Sequence, residues 1–333
     1  MSETNTQVLL KQRPVGAVQE RHFEVVHKPV PVTGPGQICV RNHYLSLDPY
    51  MRGRMSDAKS YAQPVAIGDV MVGGTVGEVV ESRHPDFKAG DAVLGYFGWQ
   101  LFGVSDGTGI TKIEKGDLPL SAYLGVLGMP GVTAYIGLMD IGHPKAGETV
   151  VVSAASGAVG SVVGQIAKLQ GCRAVGIAGG ERKCRYVTEE LGLDACVDYK
   201  AGSLSENLQK AIPDGVDVYF DNVGGPIFDA VLDRMNPFGR IPVCGMISQY
   251  NAVEPYAVKK MHNVLIQRLT IRGFIVSDHA ARWVDALTDI ENWLRQGRLK
   301  FRESITEGLE NAPAAFIGLL SGKNFGKQLI KLI

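Results

Sequence analysis

The chain has 333 residues, of which 45% are hydrophobic, and this length is typical of about two domains with buried cores. Lys and Arg together number 34, as do Asp and Glu, so the formal net charge is zero and neither nucleic acid nor a membrane is an expected partner. Residues 1–7 are polar, and no apolar run approaches the roughly 18 residues that span a bilayer, which predicts a cytoplasmic protein. The cysteines form no C-x-x-C pair, which predicts free thiols at Cys39, Cys172, Cys184, Cys196 and Cys244.

The first part of the chain, residues 1–124, is rich in glycine, proline and short segments that alternate apolar and polar side chains. Strands are predicted at 37–41 and 74–81, and the turn at 88–95 leads into a third strand. This pattern predicts an irregular β-barrel.

From about Leu124 the sequence changes to alternating helices and strands. The predicted helices lie at 133–138, 162–169, 182–191 and 281–295, and the predicted strands at 150–152, 172–178, 195–197, 216–220, 241–243 and 270–274. This alternation predicts an α/β domain built on a doubly wound parallel sheet. The last thirty or so residues contain a short helix and a strand, and we expect them to return to the first domain. The predicted domains are 1–124 with 304–333, and 125–303.

The most informative segment joins the predicted strand at 150–152 to the helix that follows it. Its spacing Ala155-x-Gly157-x-x-Gly160 matches the G-x-G-x-x-G dinucleotide fingerprint with alanine in the first place. One small residue allows the tight turn, one lets the backbone approach the pyrophosphate, and one lets the helix pack on the strand. Free N–H groups at the helix N-terminus then bind phosphate. The segment therefore predicts a dinucleotide-binding turn, and a turn that serves packing alone is the alternative.

The order of these parts resembles the medium-chain dehydrogenase/reductase superfamily, and the resemblance covers essentially the whole chain. Four motifs are similar to the zinc-independent leukotriene B4 12-hydroxydehydrogenase/prostaglandin reductase branch, which includes plant double-bond reductases and bacterial curcumin reductases. These motifs are Leu45–Arg52, Gly128–Tyr135, Asp221–Gly225 and Asn324–Lys327. The resemblance implies a GroES-like β-barrel domain, a Rossmann domain and a C-terminal tail that rejoins the barrel.

Zinc-dependent members of the superfamily carry Cys and His ligands in the barrel and a lobe with four cysteines. The matching stretch here, Leu45–Tyr50, contains neither Cys nor His, and the four-Cys lobe is missing from the sequence. His43 and His84 remain, but a catalytic zinc ion needs about three protein ligands. We therefore expect no metal.

The end of the predicted strand at 172–178 bears on the choice between NAD and NADP. An acidic residue at this place binds the ribose 2′-OH of NAD, whereas a cation accommodates the 2′-phosphate of NADP. Glycines occupy the place here, and the resemblance implies that Lys183 binds the phosphate and that Tyr199 contacts the same region. We expect NADP. The alternative is that Lys183 and Arg182 only begin a solvated helix, and that Glu181 binds the ribose hydroxyls.

The resemblance implies a larger set of cofactor-binding residues at strand ends and in the returning tail. The set comprises Ala155, Gly157, Ala158, Val159, Gly160, Gly179, Lys183, Tyr199, Asn222, Cys244, Gly245 and Asn324. For Asn324 the alternative is turn chemistry, because Asn before Phe-Gly is an ordinary loop sequence.

The resemblance also implies an activity, the NADPH-dependent reduction of a C=C bond conjugated to the carbonyl of an enal or enone. Because hydride addition at the β-carbon leaves negative charge on the carbonyl oxygen, a hydrogen-bond donor is needed there. Tyr50 and Tyr250 are the candidate catalytic donors, since a phenol with a pKa of about 10 is protonated at neutral pH. The 2′-OH of the nicotinamide ribose is a third candidate. The alternative is that both tyrosines only line an apolar pocket.

Two other functions stay open at this point. Quinone reductases share the fold, the lack of zinc and the NADPH preference, although the string Asp48–Arg52 is typical of the double-bond reductases. A non-catalytic NADPH-binding protein is the second alternative. Relatives commonly pair through the edge strand of the Rossmann sheet, so the resemblance implies a homodimer with Leu269–Phe274 as the candidate edge.

Overall fold

A computed structural model describes residues 4–114 and 116–333 of the protein. Met1, Ser2 and Glu3 of the polar N-terminus lie outside the described residues. The chain divides into two compact units, which we call the barrel unit (residues up to Gly125 together with Glu303–Ile333) and the sheet unit (Val126–Arg302). Within the described ranges, no helix combines the length and the apolar character needed to cross a membrane.

The elements of both units follow in chain order. The strands are β1 (Thr4–Leu10), β2 (Phe23–Pro29), β3 (Ile38–Ser46), β4 (Thr75–Ser82), β5 (Ala92–Gly95), β6 (Phe102–Ser105), β7 (Thr111–Lys112), β8 (Thr149–Ser153), β9 (Arg173–Ala178), β10 (Ala195–Asp198), β11 (Val216–Phe220), β12 (Met235–Val243), β13 (Thr270–Gly273), β14 (Glu303–Glu307) and β15 (Lys327–Lys331). The helices are α1 (Met51–Arg54), α2 (Met129–Ile136), α3 (Gly160–Leu169), α4 (Glu181–Arg185), α5 (Leu204–Ala211), α6 (Gly225–Leu232), α7 (His262–Ile266), α8 (Trp283–Arg295) and α9 (Ala312–Leu320).

The sheet unit is built on a six-stranded sheet in the order β10-β9-β8-β11-β12-β13, and every neighbouring pair is parallel. Counted from β8, this is the order 3-2-1-4-5-6 of a Rossmann sheet, in which ligands bind where the order reverses, at the carboxyl ends of the first and fourth strands. All five residues of β8 are buried, as expected for a central parallel strand covered on both faces. The prediction of a doubly wound parallel sheet is confirmed.

Two predicted helices of this unit end earlier than their sequence pattern indicates. The pattern at 182–191 begins as α4 and continues as the π-helical segment Tyr186–Glu190, and the pattern at 133–138 belongs to α2 and the π-helical segment Gly137–Gly142. After α4, the Thr188 hydroxyl donates to the carbonyl oxygen of Cys184 at 3.2 Å. A side-chain bond to the carbonyl four residues earlier competes with the regular helix ladder.

The barrel unit contains a mixed sheet in the order β14-β15-β3-β4-β5-β7, with β6 also paired to β3, and a separate β1-β2 hairpin. The C-terminal tail is part of this sheet, because β15 pairs antiparallel with β3 and parallel with β14. The buried core is centred on Trp99, whose ring stacks on Phe23 at 5.5 Å and meets Phe316 of α9 edge-on at 5.7 Å. Such aromatic pairs add about 0.5–1.5 kcal/mol beyond the area they bury.

A buried ion pair joins the tail to the loop after β3. The Lys327 ammonium donates to the Asp48 carboxylate at 2.5 Å and to the Leu47 carbonyl oxygen at 2.9 Å, and the Ser46 hydroxyl donates to the second Asp48 oxygen. The two side chains of the pair are only 4% and 8% exposed. A buried charge is tolerated only when it is paired and hydrogen-bonded, so this loop and the tail depend on each other.

We expect the substitution Lys327→Met to lower the free energy of unfolding by about 3–5 kcal/mol, because it leaves the Asp48 carboxylate buried without a counter-charge. Urea titration of the purified variants measures this loss. Lys331→Met is the matched control on the same strand, since its 3.5 Å pair with Glu307 is exposed and should contribute less than about 1 kcal/mol. Equal losses for the two variants would contradict a special role of the buried pair.

Candidate functional site

The turn after β8 has the close backbone packing that the glycine spacing predicts. Ala154 takes a left-handed conformation with φ of +52°, and its carbonyl oxygen accepts from the Gly157 amide at 2.8 Å. A Cβ on Gly160 would lie 2.4 Å from the same carbonyl oxygen, so a larger residue is excluded there. The residue with the left-handed conformation, Ala154, thus lies one position before the motif begins. Gly160, the third small residue of the motif, packs against the turn itself, whereas the dinucleotide fingerprint expects it to pack on the strand.

The first place of the motif is fixed by a contact that sequence reasoning missed. Ala155 is fully buried, and its amide donates to the Ile177 carbonyl oxygen of β9 at 3.0 Å. A Cβ on Gly176 would lie 2.7 Å from the Ala155 Cβ and 2.8 Å from the Val187 side chain. A glycine inside a strand pattern often marks such a close approach, which is the signal that could have identified Gly176.

The N-terminus of α3 faces the same end of the sheet. Gly157, Ala158 and Val159 are half-buried and lead into α3, which begins at the buried Gly160. The first N–H groups of a helix have no partner inside it, and the macrodipole adds partial positive charge, so this position suits a phosphate.

β9 ends in a turn with two glycines, and the ring of Tyr199, which follows β10, packs against this turn. Gly180 has φ of +97°, and its amide donates to the Asp198 carboxylate at 2.8 Å. The Lys200 amide donates to the same oxygen at 2.9 Å. A Cβ on Gly179 would lie 2.8 Å from the Tyr199 ring, so the glycine lets the ring lie against the turn.

Two lysines meet at this turn. The pKa of Lys183 is lowered, first by burial and then by the positive charge of Lys200. The Lys200 ammonium lies 5.7 Å from the centre of the Tyr199 ring. An anion bound between the two lysines would relieve both their repulsion and their desolvation, so the arrangement suits a phosphate. The Glu181 carboxylate instead lies on the exposed face of α4, 3.8 Å from Arg185.

A buried carboxylate that is absent from the predicted set organises the ends of β8 and β11. Asp221 is 1% exposed and accepts hydrogen bonds from the hydroxyl groups of Ser153 at 3.0 Å and Tyr219 at 2.7 Å. It also accepts from the backbone amides of Val223 and Gly224, each at 3.0 Å. Tyr219 is two residues from Asp221 in the sequence, whereas Ser153 is 68 residues away and meets Asp221 only because the ends of β8 and β11 are neighbours in the sheet.

Asn222 and Gly245 are positioned by hydrogen bonds to the backbone of Ser153 and Asp221. The Asn222 side-chain amide donates to the Ser153 carbonyl oxygen at 2.8 Å, and the Gly245 amide donates to the Asp221 carbonyl oxygen at 3.2 Å. The Cys244 amide donates to that oxygen at 2.8 Å, and burial together with the Asp221 charge raises the pKa of the Cys244 thiol to about 12. The thiol is therefore protonated at neutral pH.

Tyr250 lies beside this strand end. Its hydroxyl accepts from the Met246 amide at 3.3 Å, and a Cβ on Gly245 would lie 3.1 Å from the hydroxyl oxygen. The phenol is thus packed over Gly245, next to the carboxyl end of β12. The candidate cofactor-binding residues that follow β8, β9, β10, β11 and β12 therefore lie along one edge of the sheet.

Tyr50 and Asn324 belong to the barrel unit. Tyr50 follows the Asp48-Pro49 turn and is half-buried, and burial together with the Asp48 carboxylate holds its pKa well above the ordinary value. The Asn324 side-chain amide donates to the Gly326 carbonyl oxygen at 2.8 Å, within its own turn. This bond is the turn chemistry considered from the sequence, and the cofactor-binding role of Asn324 stays a prediction.

Metal ligands are not grouped in the part of the chain that the structure describes. Over residues 4–114 and 116–333, no three His, Cys, Asp or Glu side chains are placed to hold a metal ion together. The absence of a metal from the reaction stays a prediction.

The chain matches two family models. Residues 6–113 match the N-terminal domain of oxidoreductase, and residues 158–292 match the zinc-binding dehydrogenase model.

Curated relatives match along nearly the whole chain. The NADPH-dependent curcumin reductase of Escherichia coli is 52% identical, over 99% of this chain and 97% of its own length. Prostaglandin reductase 1 of Rattus norvegicus is 45% identical, over 97% of each chain. The NADP(+)-dependent 2-alkenal reductase of Nicotiana tabacum is 42% identical, over 98% of this chain and 97% of its own. Among solved structures, CurA of Vibrio vulnificus in complex with NADPH is 51% identical with a TM-score of 0.94, and covers 98% of this chain and 99% of its own.

We expect Lys183→Ala to raise the KM for NADPH by about tenfold or more, because one charge-assisted hydrogen bond to a phosphate contributes roughly 1.5–3 kcal/mol. The KM for NADH should change less than about twofold, since NADH lacks the 2′-phosphate. Initial-rate kinetics with both cofactors measure the two values. Arg185→Ala, on the exposed face of the same helix, is the matched control. An equal rise for NADPH and NADH would show that Lys183 does not bind the 2′-phosphate.

Proposed function

The chain belongs to the medium-chain dehydrogenase/reductase superfamily, in the branch of the curcumin and prostaglandin reductases, and on that premise we propose that it is an NADPH-dependent reductase of C=C bonds conjugated to an aldehyde or ketone. The observation that carries the proposal is the similarity, along nearly the full length, to relatives named for NADPH and for conjugated substrates. The proposed substrate is a small enal or enone.

The residues of the sheet unit fit NADPH. The pyrophosphate has a place at the N-terminus of α3, where Gly160 allows the turn to close. The 2′-phosphate has a place beside Lys183 and Lys200, with the Tyr199 ring next to it. The nicotinamide half has a place along the ends of β8, β11 and β12, which Asn222 and Gly245 line and Asp221 holds in register. Bound NADPH supplies a hydride to the β-carbon of the substrate.

The chain's own contribution to the chemistry is a donor for the carbonyl oxygen, where negative charge develops as the β-carbon is reduced. Tyr50 stays protonated because burial and the Asp48 charge raise its pKa, so it can donate throughout the neutral range. Tyr250 is held over Gly245 by its bond from the Met246 amide. Either phenol can donate to an enolate oxygen, and a proton that reaches the α-carbon completes the reduction.

The corresponding domain assignment is also a proposal. Residues 1–124 with 304–333 form the GroES-like catalytic domain, which supplies Tyr50 and Asn324, and residues 125–303 form the Rossmann NADP-binding domain. We propose that the reaction needs no metal, because Leu45–Tyr50 offers neither Cys nor His. Full activity after exhaustive dialysis against a chelator supports this, and loss that zinc restores contradicts it. We place the enzyme in the cytoplasm, where NADPH and free thiols are maintained.

The experiment that tests the function follows NADPH oxidation at 340 nm with a 2-alkenal, an aryl enone, a 15-keto lipid enone and a quinone, and identifies the products by mass spectrometry. A saturated aldehyde or ketone from the enal or enones is the expected product. Turnover of the quinone alone would identify a quinone reductase instead. Tight NADPH binding without turnover of any compound would identify a binding protein.

We expect Tyr50→Phe or Tyr250→Phe to lower kcat by about tenfold or more with the best enone of that panel, since a positioned acid contributes at least this much. The KM for NADPH should stay within about twofold, because the phenols act on the substrate oxygen. Tyr44→Phe, on β3 of the barrel unit, is the control. If neither variant lowers kcat, the ribose hydroxyl becomes the remaining donor.

The edge of the Rossmann sheet supports a homodimer. β13 pairs only with β12 among the described strands, so its outer side is an unpaired edge, at the place predicted from the sequence. Large apolar side chains beside it are exposed, among them Leu265 at 82% and Phe238 at 66%. An unpaired edge next to exposed apolar groups is typical of an interface between copies of a chain.

We expect sedimentation velocity to give a mass twice the 35.8 kDa of the chain, and Leu265→Lys to shift it toward the single chain, because a charge would be buried at the interface. Val32→Lys, at an 86% exposed site of the barrel unit, is the control and should leave the mass unchanged. A wild-type monomer, or a dimer that Leu265→Lys does not weaken, would contradict this interface.

A further inference from the structure

Two thiols lie against each other in the sheet unit. Cys184 is on α4 and Cys196 on β10, and the Cys196 thiol donates to the Cys184 sulfur with the two Sγ atoms 2.8 Å apart. Both side chains are half-buried and reduced, whereas Cys39 and Cys172 are buried. A disulfide bond is about 2.05 Å long, so a movement of less than about 1 Å joins the two sulfurs.

The hydrogen bond makes the two sulfurs unequal. The hydrogen bond from Cys196 lowers the pKa of Cys184, while the same bond and burial raise the pKa of Cys196. The thiolate is the reactive form of cysteine, and a neighbouring thiol then resolves its oxidised product.

A surface pocket lies on the Cys196 side of the pair. It has a volume of about 370 Å³, and its lining includes Asp198, Asn207 and Lys210. The pocket shares Asp198 with the turn after β9, and it is wide enough for a hydroperoxide.

The pair also borders the proposed 2′-phosphate site. Cys184 directly follows Lys183, and Cys196 lies on the strand that leads into Asp198 and Tyr199. The Asp198 carboxylate holds the Gly180 amide at the start of α4. A covalent link between α4 and β10 therefore acts on the two segments that carry Lys183 and Tyr199.

We propose that Cys184 and Cys196 form a dithiol site that hydroperoxides oxidise to a disulfide, and that the cross-link weakens NADPH binding. The coupling to NADPH rests on the proposed function, whereas the oxidation does not. The Cys184 sulfur attacks the hydroperoxide, so an S–O bond forms, the O–O bond breaks and an alcohol, or water from hydrogen peroxide, leaves with the thiol proton. The Cys196 sulfur then attacks the Cys184 sulfenic acid, the S–S bond forms as the S–O bond breaks, and the oxygen leaves as water with the Cys196 proton. Two electrons pass from the sulfurs to one peroxide.

The test oxidises the full-length protein with hydrogen peroxide and counts thiols after denaturation. Thiols should fall from five to three, and peptide mass spectrometry should find a Cys184–Cys196 link within one chain that dithiothreitol reverses. Cys196→Ser should stop at a sulfenic acid on Cys184 that dimedone labels, and Cys184→Ser should react much more slowly. Cys244→Ser, whose thiol has a raised pKa, is the control and should keep the wild-type loss of two thiols. Links between chains, or first oxidation at another cysteine, would overturn the site.

NADPH affinity of reduced and oxidised protein, measured by fluorescence titration, tests the coupling without any need for turnover. We expect a Kd for NADPH at least threefold higher after oxidation, restored by dithiothreitol, with no such change in the oxidised Cys196→Ala variant. An unchanged Kd in cross-linked protein would overturn the coupling. A failed enone assay with an intact thiol response would count against the proposed function only.

Discussion

The nucleotide end of the molecule depends on one buried carboxylate. Asp221 gathers two hydroxyl groups and two backbone amides on its side chain, while its carbonyl oxygen accepts from the amides of Cys244 and Gly245. Because an ionised group this deep is stable only with several donors, the ends of β8, β11 and β12 are held in one arrangement. The positions of Asn222 and Gly245 are consequences of that arrangement, and so is the shape of the edge at which we propose that NADPH binds.

In the barrel unit, a buried carboxylate is stabilised by an ion pair. Lys327 of the tail neutralises Asp48, whose backbone carbonyl starts the short turn that carries Tyr50. The Asp48 charge also contributes to the raised pKa of Tyr50, so one carboxylate both anchors the turn and favours the protonated phenol. In each unit, therefore, a candidate functional side chain lies one or two residues from a buried acid that has no direct part in the proposed chemistry.

The paired lysines and the paired cysteines lie on the same two segments, around α4 and the end of β10. Burial, and then the positive charge of Lys200, lower the pKa of Lys183, and a doubly charged phosphate bound between the two lysines would offset both effects. The thiols of Cys184 and Cys196 lie one residue and three residues from Lys183 and Tyr199 along their segments. The proposed discrimination between NADPH and NADH and the proposed response to peroxide thus involve the same two segments, α4 and the end of β10.

The sequence by itself determined the α/β fold class, the strands of the parallel sheet and the glycine turn, because these depend on periodicity and backbone freedom within a few adjacent residues. It does not predict the helices α5, α6 and α7 or the β1-β2 hairpin. The α/β fold with a GroES-like unit and a Rossmann sheet is confirmed, and the structure adds the strand order that reverses at β8. The binding roles of Lys183 and Asn324 and the catalytic roles of Tyr50 and Tyr250 stay predictions. Only the tertiary structure decided that Ser153 meets Asp221 across 68 residues, that Asp48 meets Lys327 across 279, and that Cys184 meets Cys196. Such contacts follow from how the elements pack, and the local sequence around one partner does not identify the other partner.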